Sequence, residues 1–154
     1  MAQARNGEQG VRLLICGSRG FDDAGLMSTK LSAIVSAVKE PITVLSGCAR
    51  GADQLGELWA ADRGYPIDMY PVDWDRSRHA AGLRFNQEMI DSATHVVAFW
   101  DGLSRGTERV INLAKTKGLP LRVVEIGDIE AVKQFKRAVH MVIEAFDGEV
   151  VTSS

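Results

Sequence analysis

The stretch Val11–Gly20, VRLLICGSRG, decides the fold. From Val11 to Cys16 the chain is apolar apart from Arg12, with no alternation of apolar and polar residues, and it then breaks into Gly17-Ser18-Arg19-Gly20. A short continuous apolar run that ends in glycine reads as a strand buried on both faces. Strands of that kind belong to parallel sheets with helices packed on either side, so the segments that follow should alternate helix and strand.

Working outward, they do. Asp22 and Asp23 can cap a helix running to about Lys39, with Leu26, Leu31, Ile34, Val35 and Val38 on one side, and Pro41 stops it. Ile42 to Leu45 is a second strand, Ala52 to Arg63 a helix ended by Gly64, and Ile67 to Tyr70 a third strand. His79 to Asp91 reads as a helix, Thr94 to Trp100 as a fourth strand, and Ser104 to Lys117 as a helix stopped by Gly118. Leu121 to Ile126 is a fifth strand and Ile129 to Phe146 a last helix. The expected fold class is α/β: a three-layer Rossmann-like sandwich on a parallel sheet of five strands, order 3-2-1-4-5, with right-handed crossovers.

Composition agrees. The chain has 154 residues, 45% hydrophobic and 25% charged, the balance of an ordinary globular domain rather than a disordered tail, a collagen-like repeat or a disulfide scaffold. Residues 11–150 are expected to form one domain behind a disordered leader, 1–10, with Thr152 to Ser154 disordered as well. Met1 to Gly10 lacks the apolar core of a secretory signal, and no apolar run approaches the roughly 20 residues that span a bilayer, so a cytoplasmic location is expected. Cys16 and Cys48 suit a reducing compartment and have no zinc-ligand spacing. The net charge of −2 and the pI of 5.9 provide no field for a nucleic-acid backbone, so a polyanion is not the expected partner.

The uncommon figure is 15 glycines against 4 prolines. Three glycine-bearing loops follow three strands directly: Gly17 to Gly20 after the first, Ser46 to Asp53 after the second, and Asp101 to Thr107 after the fourth. With order 3-2-1-4-5 the sheet reverses between strands one and four, and ligands of open α/β sheets bind at that point, outside the strand carboxyl ends. Gly17, Gly20, Gly47, Gly51, Gly102 and Gly106 would line the crevice and let backbone N–H groups approach a phosphate. Helix N-termini add partial positive charge, Arg19, Arg50 and Arg105 planar donors, and Ser18, Ser104 and Thr107 hydroxyls. The expected ligand is a small anion bearing a sugar. Two common nucleotide fingerprints are missing: there is no G-x-x-x-x-G-K-[ST], and the first loop reads G-S-R-G rather than G-x-G-x-x-G. This argues against a P-loop NTPase and a hydride-transferring enzyme.

Gly17-Ser18-Arg19-Gly20-Phe21, Ser46 to Asp53, Trp59-Ala60, Pro71 to Trp74, Asn86 to Met89, and Ala98 to Gly102 with Ser104 and Gly106-Thr107 together resemble the YspA-type (YpsA-related) branch of the SLOG superfamily. The resemblance covers about residues 11–126. It implies a Rossmann-like fold binding a nucleotide or a nucleotide-derived ligand of the ADP-ribose or NAD type over Gly17, Ser18, Arg19, Gly47, Arg50, Gly51, Asp53, Asn86, Trp100, Asp101, Gly102, Ser104, Gly106 and Thr107. Relatives are common in phages and mobile elements. The superfamily includes the LOG phosphoribohydrolases, which cut nucleotides at the N-glycosidic bond and dimerise, so a homodimer is implied too. It also includes the DNA-processing protein DprA, which brings single-stranded DNA binding in as a third reading.

The chain departs from the hydrolases at both catalytic positions. The Glu they carry three residues past the loop Thr is Val110 here, while Glu108 directly follows Thr107, about 200° around the helix from that position. The Arg that in YspA-type relatives precedes the Asn matching Asn86 is Phe85 here, with Arg84 one residue off. Glycosidic cleavage needs a positioned carboxylate, so a binding or sensing role is expected first. If the chain is an enzyme, Asp101, Glu108 and Arg84 are the candidates, with Asp53 a further carboxylate.

Among other residues, Trp74 and Trp100 sit near strand ends and can stack on a base, and Trp59 reads as core. Asp73 and Asp75 read as solvated loop charges, and His79, His95 and His140 have no partner at metal-ligand spacing, so no metal or cofactor is expected. Lys115, Lys117, Arg122, Lys133, Lys136 and Arg137 read as a solvated face.

Overall fold

In a computed structural model of the chain, which describes residues 10–71, 87–127 and 129–153, β1 (Val11–Gly17) occupies the middle of the sheet. It pairs in parallel with β2 (Ile42–Ser46) on one side and β4 (His95–Trp100) on the other, with Leu13 opposite both Val44 and His95. β3 (Ile67–Met69) and β5 (Leu121–Glu125) close the edges. The order is β3-β2-β1-β4-β5, all parallel, and the α/β Rossmann-like expectation holds.

The side chains of β1 explain its unbroken apolar pattern. Leu13 and Ile15 face one core with Val44, Val97 and Phe99, and Leu14 and Cys16 face a second with Leu45, Val96 and Ala98. Both faces are buried from Leu13 to Cys16, so none of those four positions is free to be polar. The first core is covered by α1 (Ala24–Val35) and α2 (Ala52–Asp62), through Met27, Leu31, Val35, Trp59 and Ala60. Gly56 lets α2 come down directly onto β1: a Cβ there would lie 2.8 Å from Ile15 Cγ2. The second core is covered by α3, whose described residues are 87–92, and α4 (Arg105–Lys117), through Met89, Ile90, Val110, Ile111 and Ala114.

Two helix ends differ from expectation. α1 stops at Val35 rather than Lys39. The Val38 amide turns back to the Val35 carbonyl at 2.9 Å, so Val38 packs against the first core instead of continuing the helix. The chain can then pass through Pro41, whose carbonyl accepts from Val11 N, into β2. At the other end α5 (Ile129–Ser153) runs past Phe146 and takes in residues expected to be disordered. No proline interrupts it, and Gly148 alone costs a helix only about 1 kcal/mol. From Glu130 to Ala145 almost every side chain of α5 is exposed.

Candidate ligand-binding site

The loops after β1, β2 and β4 meet at the carboxyl edge of the sheet, where strand order reverses between β1 and β4. They are braced to one another through backbone. Ser18, 3% exposed, donates its amide to the Phe99 carbonyl at 2.9 Å, and its Oγ accepts from the Asp101 amide at 3.1 Å. Its carbonyl accepts from the Ala52 amide at 3.2 Å. One serine therefore ties the first loop to both of the others. The glycines alongside are required by the same closeness: at Gly17 a Cβ would collide with the Phe99 carbonyl, and at Gly51, φ +77°, it would sit 2.5 Å from the Ser18 carbonyl.

The second loop folds around buried polar groups. Ser46 Oγ donates to Glu57 Oε2 at 2.5 Å and accepts from the Cys48 amide at 3.0 Å, which supports the left-handed Cys48 (φ +65°). Asp53, 6% exposed, accepts from the Ala49 amide at 3.2 Å, and a Cβ on Gly47 would press on its Oδ2 at 3.0 Å. Burial pushes the Asp53 carboxyl up to about 7 and the nearby Glu57 charge adds to this, against the Ala49 and Gly47 amides and the Arg19 charge, which lower it. Burial and the Glu57 charge also raise the Cys48 thiol, and burial raises Cys16; both cysteines are free.

The third loop is an Asx turn leading into a helix. Asp101 Oδ1 accepts from the amides of Leu103 (2.8 Å) and Ser104 (2.9 Å). Partial burial works against its ionisation, but these two amides outweigh it and hold the carboxyl below its ordinary range. Ser104 caps α4, accepting from the Thr107 amide, with its Oγ 3.1 Å from Thr107 Oγ1. Gly102 (φ +85°) backs onto Val132 of α5. Gly106 differs from its neighbours: among the described residues nothing lies within 4 Å of where its Cβ would be. No packing against those residues demands a glycine in this first helical turn. The first turn of α4 thus opens at Gly106, beside the capping Ser104, the kind of helix N-terminus that holds an oxyanion.

Arg19, Arg50 and Arg105 are exposed on the three loops. Trp100 stands apart from the braced group. Its Nε1 donates to the Ser104 carbonyl at 3.0 Å and Lys136 Nζ lies over its ring at 4.9 Å, so the ring belongs to the α5 side. Of the catalytic candidates, Asp101 is engaged in its turn, Glu108 is exposed on α4, and Val110 is buried in the second core. Arg84, Phe85, Asn86, Asp73, Trp74, Asp75 and His79 lie outside the described residues. Trp59 is buried as expected. The lysines and arginines expected to be merely solvated include two with partners: Lys117, on Ile90 O and Asp91, and Lys136, on Trp100. Among the described residues no group of three or more His, Cys, Asp or Glu is placed to hold a metal, and no helix is long and apolar enough to cross a membrane. Glu57 was not singled out by the sequence, nor was its bond to Ser46. The available signal was the four-residue spacing of Asp53 and Glu57, which puts both carboxylates on one face of α2.

Comparison with known proteins points the same way. Residues 11–77, which contain the first two loops, match the model of the YspA, cpYpsA-related SLOG family. The chain is 31% identical over 123 residues to the "Gene 61 protein" of Mycobacterium phage D29, covering 76% of this chain and 97% of that one. No solved structure matches it significantly. With its sheet order, its braced glycine loops and these similarities, the chain belongs to the YspA, cpYpsA-related SLOG family.

Proposed function

We propose that the protein binds a nucleotide or nucleotide-derived ligand, a nucleoside monophosphate or an ADP-ribose- or NAD-like molecule, and acts as a sensor or sequestering protein. The observation that carries this reading is the open N-terminus of α4 beside three loops locked together by Ser18, with Gly106 unconstrained by any neighbour among the described residues. Phosphate would sit against the Gly102–Thr107 loop, at Gly106, and the Arg50 guanidinium, and the ribose against Gly17 to Arg19. Family membership supports a nucleotide-related ligand. Thermal shift against AMP, ADP-ribose, NAD and cyclic nucleotides tests it: a ligand at a hundredfold excess over its Kd should stabilise the fold by about 2.7 kcal/mol, and no shift from any of them would refute the reading. Arg50→Ala should weaken binding by about 1.5–3 kcal/mol, the worth of a charge-assisted contact.

Asp53 favours a second reading, a LOG-like N-glycosidase, because a carboxyl titrating near neutrality can both give and take a proton. Release of free base from nucleoside monophosphates would separate enzyme from sensor. The DprA-like reading of single-stranded DNA binding gains nothing from a chain of net charge −2.

The ligand-binding unit is proposed to be a homodimer. Phe135, Val139, Val142 and Ile143 are exposed at spacings of 4, 3 and 1 along α5, a narrow apolar seam of helix-pairing type. The seam of a second copy is its complement.

A further inference from the structure

Where α4, β5 and the first two turns of α5 meet, the described residues enclose a cavity of about 330 Å³. Its walls are largely apolar, with Trp100, Ile111, Val123 and Val132 among them. Three lysines also line it, Lys115 from α4 and Lys133 and Lys136 from α5. Among the described residues none of the three has an ion-pair partner; Lys136 rests on the Trp100 ring.

The charges call for an explanation. Lys115 lies in the last turn of α4, where the helix dipole favours a cation. Lys133 and Lys136 lie in the second turn of α5, where the helix dipole gives a cation no support. Two carboxylates share the cavity, but Asp101 Oδ1 is already taken by two backbone amides, and Glu125 is exposed at the end of β5. Among the described residues three cations against two anions leave the hollow with an excess of positive charge, in a chain that is acidic overall. An apolar hollow with surplus positive charge fits an occupant with the opposite halves: a flat apolar body and an anionic head. The volume is at the lower end for small-molecule sites, enough for one ring and its acid group.

We propose that this cavity is a second binding site, for a small aromatic anion such as an aryl carboxylate or aryl phosphate. The ring lies against Trp100, Val123 and Val132, and the acid group lies among Lys115, Lys133 and Lys136. The site does not depend on the nucleotide reading, since none of the three lysines belongs to the braced loops. It does share a wall with the third loop: a Cβ on Gly102 would lie 2.9 Å from Val132 Cγ1, and the Trp100 indole is hydrogen-bonded to Ser104, the cap of α4. An occupant would therefore press on the loop that positions the α4 N-terminus.

NMR on the full chain tests this, with benzoate, phenyl phosphate, benzamide and inorganic phosphate as probes. Benzoate and phenyl phosphate should shift the Val123, Ile111 and Val132 methyls and the Trp100 indole N–H. Benzamide, which lacks the charge, and inorganic phosphate, which lacks the ring, should bind at least about tenfold more weakly. The Lys133→Gln/Lys136→Gln variant changes only exposed side chains, so it should fold normally and lose at least about tenfold in benzoate affinity. It should keep any AMP response that wild type shows. The proposal is overturned if no aromatic anion moves these signals at millimolar concentration, if benzamide binds as well as benzoate, or if the shifts fall only on Ser18, Gly47 and Gly106. A protein that ignores every nucleotide but binds benzoate here would refute the nucleotide reading and leave this site standing.

Discussion

Ser18 and Asp101, 83 residues apart in sequence, are joined by a 3.1 Å hydrogen bond from the Asp101 amide to the Ser18 hydroxyl. The bond crosses from the end of β1 to the end of β4, the two strands between which the sheet changes direction. Ser18→Ala should leave the Asp101 amide without a partner and cost about 1–3 kcal/mol, the desolvation penalty of an unsatisfied buried group. Urea unfolding measures this. Because the same amide anchors the turn into α4, nucleotide affinity should fall along with stability. A Ser18→Ala variant with wild-type stability would show that the hydroxyl part of the brace contributes nothing to the fold.

Gly51 and Gly106 should respond in opposite ways to alanine. At Gly51 the left-handed φ and the Arg19 and Ser18 carbonyls leave no room for a Cβ, so Gly51→Ala should destabilise by more than about 2 kcal/mol through strain and overpacking. At Gly106 the Cβ meets none of the described residues, and alanine is the better helix former by about 1 kcal/mol, so Gly106→Ala should hold or raise the melting temperature. If the open space there admits a phosphate, the same substitution should weaken nucleotide binding. A stabilised variant with unchanged affinity would move the phosphate away from α4.

The sheet order was legible because β1 and β4 are apolar at consecutive positions, a pattern that only double-sided burial requires. The ligand loops were legible because glycines and arginines follow three strands directly. The sequence does not show what each residue in them does. Ser18 reads as one more hydroxyl for a ligand, yet its Oγ already serves the Asp101 amide; Asp101 reads as a catalytic candidate, yet its carboxylate shapes its own turn. Both roles depend on contacts set by the tertiary fold. Lys133 and Lys136 read as surface charge for the same reason, since no local pattern tells that α5 turns them toward Trp100. The end of α1 was missed because Val38 continues the helical periodicity while its amide closes a tight turn.

The α5 seam predicts an assembly. If Phe135, Val139 and Val142 pair with the same residues of a second copy, Val139→Glu should place a charge in the seam and shift the protein from dimer to monomer in sedimentation velocity. The position is exposed in the single chain, so the circular dichroism spectrum should not change. Wild-type protein that sediments as a monomer at high micromolar concentration would rule out the homodimer.

Asp53 makes stability fall as pH rises. Its carboxyl ionises near 7 in the fold, through burial first and the Glu57 charge second, and near 3.8 in the unfolded chain. Between those values the folded state holds the extra proton, so the free energy of unfolding decreases with pH, by at most about 1.4 kcal/mol per unit. Asp91 is lowered by the Gln87 and Lys117 side chains, and Asp101 by the Leu103 and Ser104 amides; both therefore act with the opposite sign, in a separate window below about pH 4. From about pH 5 to neutrality the midpoint of urea unfolding should drift down in the wild type. Asp53→Asn keeps an oxygen for the Ala49 amide but has no proton to lose, so its profile over the same range should be flatter and should cross above wild type near neutrality. If the two profiles run parallel, Asp53 is already ionised at the acid end of that range, and the proton exchange that the glycosidase reading asks of it is gone as well.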